Sequence, residues 1–233
     1  MTFAKKAIRF NNQLRYTGHP LPPGIRMMNP FTDSNQPLLI SGKFYQKYYN
    51  DAGPRYLILG INPGRYGAGL TGIPFTDPKR LQSECQISYS GKQTHEPSSV
   101  FIYDMIRAYG GAEAFYRAFY INSICPLGFT SVNAKGKEKN YNYYDSWQLR
   151  EAVRPFIIEN IRMLIDMGVR RDICFCFGTG ENEKFLTKLN KEYDFFEKII
   201  ALEHPRYIMQ YKHVKKNDYI HKYLTAFHLI GTI

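Results

Sequence analysis

The side chains of this chain whose types and positions could do chemistry are Asn62, the adjacent pair Asn122-Ser123 and His204, with Phe75 an aromatic at the far end of the loop that follows Asn62. An Asn amide both donates and accepts hydrogen bonds, so it can orient a water or read the edge of a heterocycle. A His can offer an N–H to charge that develops in a transition state, and a donor so placed contributes roughly 10²–10³-fold in rate. An aromatic ring offers a stacking face worth about 1–3 kcal/mol against a base. Each also has a plainer reading. Asn62-Pro63-Gly64 is a common turn, Phe75 could be ordinary core, and a strand-end His often caps a helix. A buried Asn-Ser pair can simply satisfy backbone, since unbonded polar groups cost free energy in an apolar setting.

The elements that must carry these residues make the set coherent. Asn62 follows the apolar run 56–61 (YLILGI), Asn122-Ser123 lie late in 119–124 (FYINSI), and His204 follows 198–202 (KIIAL); a further run, 172–177 (DICFCF), lies between. Short aliphatic runs bounded by breakers read as strands buried on both faces. Helical patterns separate them, which predicts an α/β protein with a parallel, helix-flanked sheet. Parallel strands place their carboxyl ends on one edge, where open α/β sheets bind ligands. Asn62, Asn122-Ser123 and His204 are therefore expected around one crevice. Helices are expected over 2–16, 38–49, 98–109, 112–118, 145–167, 181–190 and 216–229. Ser98 or Ser99 and Asp145 or Ser146 are the expected N-caps, and Pro155 a kink. Segments 17–37 and 130–144 read as loops. The glycine-rich stretch after Asn62 permits close backbone approach to a ligand, but it matches neither a phosphate P-loop nor a dinucleotide fingerprint. No repeat or boundary interrupts residues 1–233, which read as a single domain.

Composition narrows the ligand. The chain of 233 residues carries 31 Lys and Arg against 20 Asp and Glu, a net charge of +11. A field of that sign attracts polyanions, nucleic acid first. Basic and aromatic residues interleave in 204–222, with Arg206, Lys212, Lys215 and Lys216 beside Tyr207, Tyr211 and Tyr219, and again in 135–144. Both stretches read as DNA-facing or as solvated charged surface. Cys85, Cys125, Cys174 and Cys176 form no C-x-x-C pair, so no metal site is expected and reduced thiols in a cytoplasm are. No apolar run reaches the ~18–20 residues of a membrane span, and MTFAKKAIRF lacks the apolar core of a signal peptide.

At this point the motifs align with a known family. GINPG at 60–64 with TGIPF at 71–75, INSICPL at 121–127 and HPR at 204–206 resemble the uracil-DNA glycosylase superfamily. The pattern is most similar to the single-strand-selective monofunctional branch, with its GMNPG…TGVPF, HNLCPL and HPSPR signatures. Asn29-Pro30 resembles an upstream Asn-Pro of that branch, and the resemblance runs from about residue 26 to 222. It implies a three-layer α/β/α fold with a central, mainly parallel four-stranded sheet. It implies that Asn62 positions the attacking water, that the Gly64 backbone lines the base pocket, that Phe75 stacks on the flipped base, and that His204 hydrogen-bonds uracil O2. Aligning on Cys-Pro-Leu makes Ser123 the base reader, whereas counting along the strand makes it Asn122; neighbours in a strand point to opposite faces. After His204-Pro205 the family continues Ser-Pro-Arg-Asn, but here the chain reads Arg206-Tyr207-Ile208-Met209. Arg206, Tyr207 or Met209 could then be the wedge between bases, with Lys212, Lys215 and Lys216 on phosphates.

The implied activity is that of a monofunctional DNA glycosylase in base excision repair, hydrolysing the N-glycosidic bond of uracil and leaving an abasic site. No cofactor or metal is implied, and no nucleophilic Lys. The partner is uracil-containing DNA, single- or double-stranded, with no membrane; a monomer, cytoplasmic or nucleoid-associated, is expected. His204 is expected to be neutral at pH 7, because the neighbouring cations disfavour an imidazolium. Two alternatives stay open: a glycosylase of the same fold for xanthine, hypoxanthine or hydroxymethyluracil, and a non-catalytic nucleic-acid-binding module. An unrelated hydrolase ranks last, for want of a G-x-S-x-G elbow.

Overall fold

The computed structural model describes residues 1–132 and 136–231 of the chain. In chain order the elements are α1 (Phe3–Gln13), β1 (Ile25–Met28), α2 (Pro30–Asp33), α3 (Asn35–Tyr48), β2 (Arg55–Gly60), α4 (Ala68–Thr71), α5 (Pro78–Ser83), α6 (Pro97–Tyr109) and α7 (Ala112–Ala118). There follow β3 (Phe119–Ser123), β4 (Gly128–Val132), β5 (Glu138–Tyr141), α8 (Trp147–Asp166), β6 (Val169–Phe177), α9 (Glu181–Tyr193), β7 (Lys198–Leu202), α10 (Pro205–Tyr211) and α11 (Lys216–His228).

The expected strands are all present and form one parallel sheet in the order β3-β2-β6-β7. Leu57, Ile58 and Leu59 at its centre are fully buried, as a strand covered on both faces requires. The alternation of side chains shows the two layers. Phe119 and Phe175 meet Phe227 of α11, with ring centroids 4.6 and 5.0 Å apart, while the next residue of β3, Tyr120, meets Phe3 of α1 at 5.1 Å. The architecture is thus helix, sheet, helix. The strands end in step: Gly60 pairs with Ser123, and Phe177 with Leu202. Residues 61–62, 123–124 and 203–204 accordingly share one edge.

Two stretches expected as loop are strands. β1, β4 and β5 form a separate antiparallel sheet in the order β1-β4-β5. Their sequences, IRMM, GFTSV and EKNY, lack the apolar runs that mark the main sheet. They are held by tertiary partners instead. The Thr130 hydroxyl donates to Glu138 Oε1 at 2.6 Å, and Arg65 of the glycine-rich loop pairs with Glu138 at 3.3 Å.

Helix caps differ in part from expectation. α6 begins one residue earlier, with Glu96 at the N-cap and Pro97 in the first turn; Ser98 and Ser99 are inside the helix and buried. Pro at that position removes an N–H that would have no helical partner. Ser146 caps α8 by accepting from the Leu149 N–H at 3.2 Å, and Pro155 lies within the helix. The segment after His204, expected as a wedge loop, is the helix α10. Pro205 supplies a preorganised φ at its first position, and the His204 side chain caps it. Among the described residues no helix is long and apolar enough to cross a membrane.

Candidate active site

The carboxyl edge of the sheet opens into a cavity of about 420 Å³. Asn62, Gly64, Phe75, Ser123 and His204 all line it, as do Glu96, Arg206 and Tyr207. The convergence expected from three strand ends is therefore present.

Asn62 leaves β2 with its amide held on both sides. Its Oδ1 accepts from the Tyr143 N–H at 3.1 Å, and its Nδ2 donates to the carbonyls of Tyr141 at 3.2 Å and Pro63 at 3.4 Å. This fixes the amide's rotamer and leaves the second lone pair of Oδ1 for a water. The clamp depends on the segment after β5, which is anchored in turn. Tyr143 is buried rather than DNA-facing, and its hydroxyl donates to Asn182 Oδ1 at 2.9 Å. Asn182 Nδ2 reaches the Phe177 carbonyl at 3.0 Å and the Gly60 carbonyl at 3.4 Å, joining the ends of β2 and β6 to the site.

Phe75 adopts φ 53°, in the left-handed region. A bulky residue there is strained, and such strain persists only where surrounding contacts over-determine it. The contacts are present. The Thr71 hydroxyl donates to the Thr76 carbonyl at 2.7 Å and accepts from the Ile73 N–H at 3.2 Å, closing the turn. The ring lies against Phe177 and His204, at centroid distances of 5.9 and 5.5 Å. Gly60 makes room for it: a Cβ there would sit 3.1 Å from two ring carbons.

Asn122 and Ser123 separate, as adjacent strand residues must. Ser123 lines the main cavity and Asn122 does not. Asn122 lines a narrow crevice behind it, with its Nδ2 donating to the Tyr120 hydroxyl at 3.3 Å and its Oδ1 accepting the Ser123 N–H at 2.7 Å. Alignment on Cys-Pro-Leu thus predicts the cavity-facing residue better than counting along the strand.

His204 Nδ1 accepts the Arg206 N–H at 3.1 Å. The nitrogen that accepts carries no proton, so the neutral ring bears its N–H at Nε2. Burial, with Arg206 adding to it, pushes the imidazole pKa down to about 3. The ring is thus neutral at pH 7, as expected, but burial is the larger cause and the expected cationic neighbours contribute through Arg206.

The expected wedge and phosphate-contact residues do not all share one surface. Arg206 and Tyr207 are exposed and line the cavity. Met209 packs against the core and cannot enter a base stack without leaving it. Tyr211, 64% exposed, lies 5.5 Å from Tyr207, and Val214 beyond it is 99% exposed. Lys212 and Lys215 are exposed, whereas Lys216 is partly buried in an ion pair with Asp104 at 2.5 Å. Lys135 lies outside the described residues.

Glu96, Asn140 and Asn182 are additional groups at or behind the cavity. Asn140 Oδ1 accepts from both the Arg65 N–H and Nε at 3.2 Å, pinning the glycine-rich loop to β5. None stands in a motif. The one available signal was Glu96-Pro97, an acidic residue ahead of a Pro at a helix start. Among the described residues no cluster of His, Cys, Asp or Glu could hold a metal ion.

Asn62, Ser123, Phe75 and a neutral His204 thus meet at one cavity on the edge of a parallel sheet, and comparison with known proteins gives the family of that fold. The sequence profile of the uracil DNA glycosylase superfamily matches residues 46–228, and the chain belongs to that superfamily. A single-strand selective monofunctional uracil-DNA glycosylase from Rattus norvegicus is 25% identical over 150 residues, covering 57% of this chain and 52% of that protein. The chain therefore spans about half the length of that curated relative. A crystal structure of wild-type SMUG2 from Pedobacter heparinus is 65% identical, with all of both chains covered and a TM-score of 0.98.

Proposed function

We propose that this chain is a monofunctional uracil-DNA glycosylase that turns uracil out of DNA, hydrolyses its N-glycosidic bond and leaves an abasic site. The observation that carries the reading is the placement of Asn62, Phe75, Ser123 and a neutral, Nε2-protonated His204 around one cavity at the sheet edge. Exposed Arg206 on the cavity wall, followed along the chain by exposed Lys212 and Lys215, suits the phosphates of a DNA strand. Unstacking the nucleotide costs a few kcal/mol, least in single strands or mismatches, and stacking on Phe75 offsets part of it. His204 Nε2–H meets the charge that gathers on uracil O2 as the C1′–N1 bond breaks. Asn62 Oδ1 holds the water that adds to C1′. Among the described residues no Lys lines the cavity to form a covalent adduct, so the strand is left uncut.

A uracil-containing single-stranded oligonucleotide, treated with alkali after reaction, tests this directly. Wild type should release uracil. Asn62→Ala and His204→Ala should each lose at least about 10²-fold in single-turnover rate. No release by wild type, with DNA still bound at low salt, would overturn the uracil reading.

One observation favours a broader range of bases. Ser123 offers the cavity a single rotating hydroxyl, which discriminates donor from acceptor edges less than an Asn amide does. Release of xanthine, hypoxanthine or hydroxymethyluracil at rates near that of uracil would establish this second reading.

A further inference from the structure

We propose that Glu96 is the general base of the hydrolysis, the group that takes the proton from the attacking water; this rests on the glycosidic-bond reading above. Glu96 stands at the N-cap of α6, on the wall of the cavity it shares with Asn62, Phe75 and His204. The root of its side chain is fixed. Its N–H donates to Asp77 Oδ2 at 2.7 Å, and its carbonyl accepts from both the N–H and the hydroxyl of Ser99 at 3.0 Å. Its head is not: the carboxylate caps no helix N–H, and among the described residues it accepts no hydrogen bond.

The glycine-rich loop is shaped to admit that carboxylate. A Cβ built on Gly67 would lie 2.0 Å from Glu96 Oε2, and one on Gly64 would lie 3.4 Å from Oε1. Glycine at 67 therefore leaves the space in which the carboxylate sits, four residues after Pro63 of the Asn62-Pro63 turn. Asn62 itself has no basic atom, because an amide does not accept a proton near neutral pH. Asn62 can orient a water but offers it no proton acceptor, and Glu96 supplies one.

The charges around Glu96 come from each neighbouring segment. Asp77, buried at the N-cap of α5, carries Arg80 and His95 on its own carboxylate. Arg206 approaches from α10, and His204 is neutral. Arg65 on the glycine-rich loop is turned to Glu138. Burial and the Asp77 charge raise the Glu96 pKa to about 7, against the opposing pull of Arg206. A base poised near the working pH combines availability with proton affinity.

The step balances as follows. The water oxygen bonds to C1′ as the C1′–N bond breaks, and that bond's electron pair leaves on the base. The water proton passes to the Glu96 carboxylate. The base anion, held by His204 Nε2–H, takes a proton from solvent, and Glu96 returns its own to solvent.

The test is the single-turnover rate of uracil release from about pH 5 to 9 for wild type, Glu96→Gln and Glu96→Asp. The wild-type rate should fall below about pH 7 on a limb of unit slope. Glu96→Gln should lose about 10²-fold at pH 8 and its limb should flatten. Glu96→Asp should keep a limb, displaced in pH, with part of the rate. Affinity for an oligonucleotide carrying an abasic-site analogue should stay within about twofold in both, which separates proton transfer from lost binding. A Glu96→Gln rate within a few fold of wild type, or an unchanged limb in a slowed variant, would overturn the proposal while leaving the glycosylase reading intact. Wild type without uracil release would overturn both. If Glu96→Gln fails to fold by circular dichroism, Glu96→Asp decides: an undisplaced limb overturns the proposal.

Discussion

The two ends of β2 treat their ionisable groups in opposite ways. At its start Arg55 is 1% exposed, yet all three nitrogens of its guanidinium donate hydrogen bonds. Nε donates to the Tyr116 carbonyl at 2.9 Å, and Nη1 and Nη2 clasp the Asp51 carboxylate at 2.8 and 2.6 Å. The rings of Phe3 and Tyr49 each lie 5.5 Å from it. At the other end the Glu96 carboxylate accepts no hydrogen bond from the described residues, His204 is held neutral, and Phe75 carries a left-handed φ. A buried charge bonded through each of its nitrogens serves the fold, because removing its partners would leave it stranded. Underused polar groups and backbone strain lower stability unless something outside the chain completes them, and they gather where ligands act. One strand thus begins in an anchor and ends in a site.

The comparison can be broken most directly at the anchor. Arg55→Met keeps most of the side-chain volume and deletes every one of these bonds. It should cost about 2–4 kcal/mol in urea unfolding, with the rate of base release per folded molecule unchanged. A cost below about 0.5 kcal/mol would mean the Arg55 cluster is no anchor.

The site should respond with the opposite sign. The folded pKa of Glu96, about 7, lies above its unfolded value of 4.5. Its stabilising contribution is therefore complete below pH 4.5 and is lost as pH rises through about 7. Glu96→Gln should stabilise the protein on the order of 1–2 kcal/mol near pH 8 and hardly at all near pH 5. His204 runs the other way: its folded pKa, about 3, lies below the unfolded 6.5, so its contribution is present above pH 6.5 and lost as pH falls towards 3. Melting temperatures across pH check both signs, and a destabilised Glu96→Gln at pH 8 would sink the contrast between the two strand ends.

The smallest effects belong to the outer rim. Lys212→Ala and Lys215→Ala should each lower the slope of log affinity against log salt by about 1. Lys216→Ala should change it less, since its ammonium already pairs with Asp104. Equal slopes for all three lysines would place Lys216 on the DNA path as well.

How much of this was legible in advance depended on the kind of interaction. The four strands of the parallel sheet announce themselves because burial on both faces demands continuous apolar runs, as in 56–61 and 172–177. Lys198–Leu202 and Ala112–Ala118 coincide with their expected bounds. The antiparallel sheet did not announce itself. β5, EKNY, has no local preference for a strand and is held by Thr130 of the adjacent strand β4 and by Arg65 and Asn62, residues far away in sequence. The helix after His204 was hidden because Pro205-Arg206-Tyr207 reads equally as a turn.

The order of residues alone determined the α/β class, the edge on which Asn62, the Asn122-Ser123 pair and His204 meet, and the basic charge that suits an anionic partner. These follow from period, polarity and net charge, which are properties of the chain as written. Only the folded chain decided that Ser123 rather than Asn122 faces the cavity, that Met209 packs against the core, and that His204 carries its proton on Nε2. It alone brought Glu96 beside Gly64 and Gly67. The reason is physical: the direction of a side chain, its desolvation and the company of a charge are set by neighbours across space, and no local pattern encodes them.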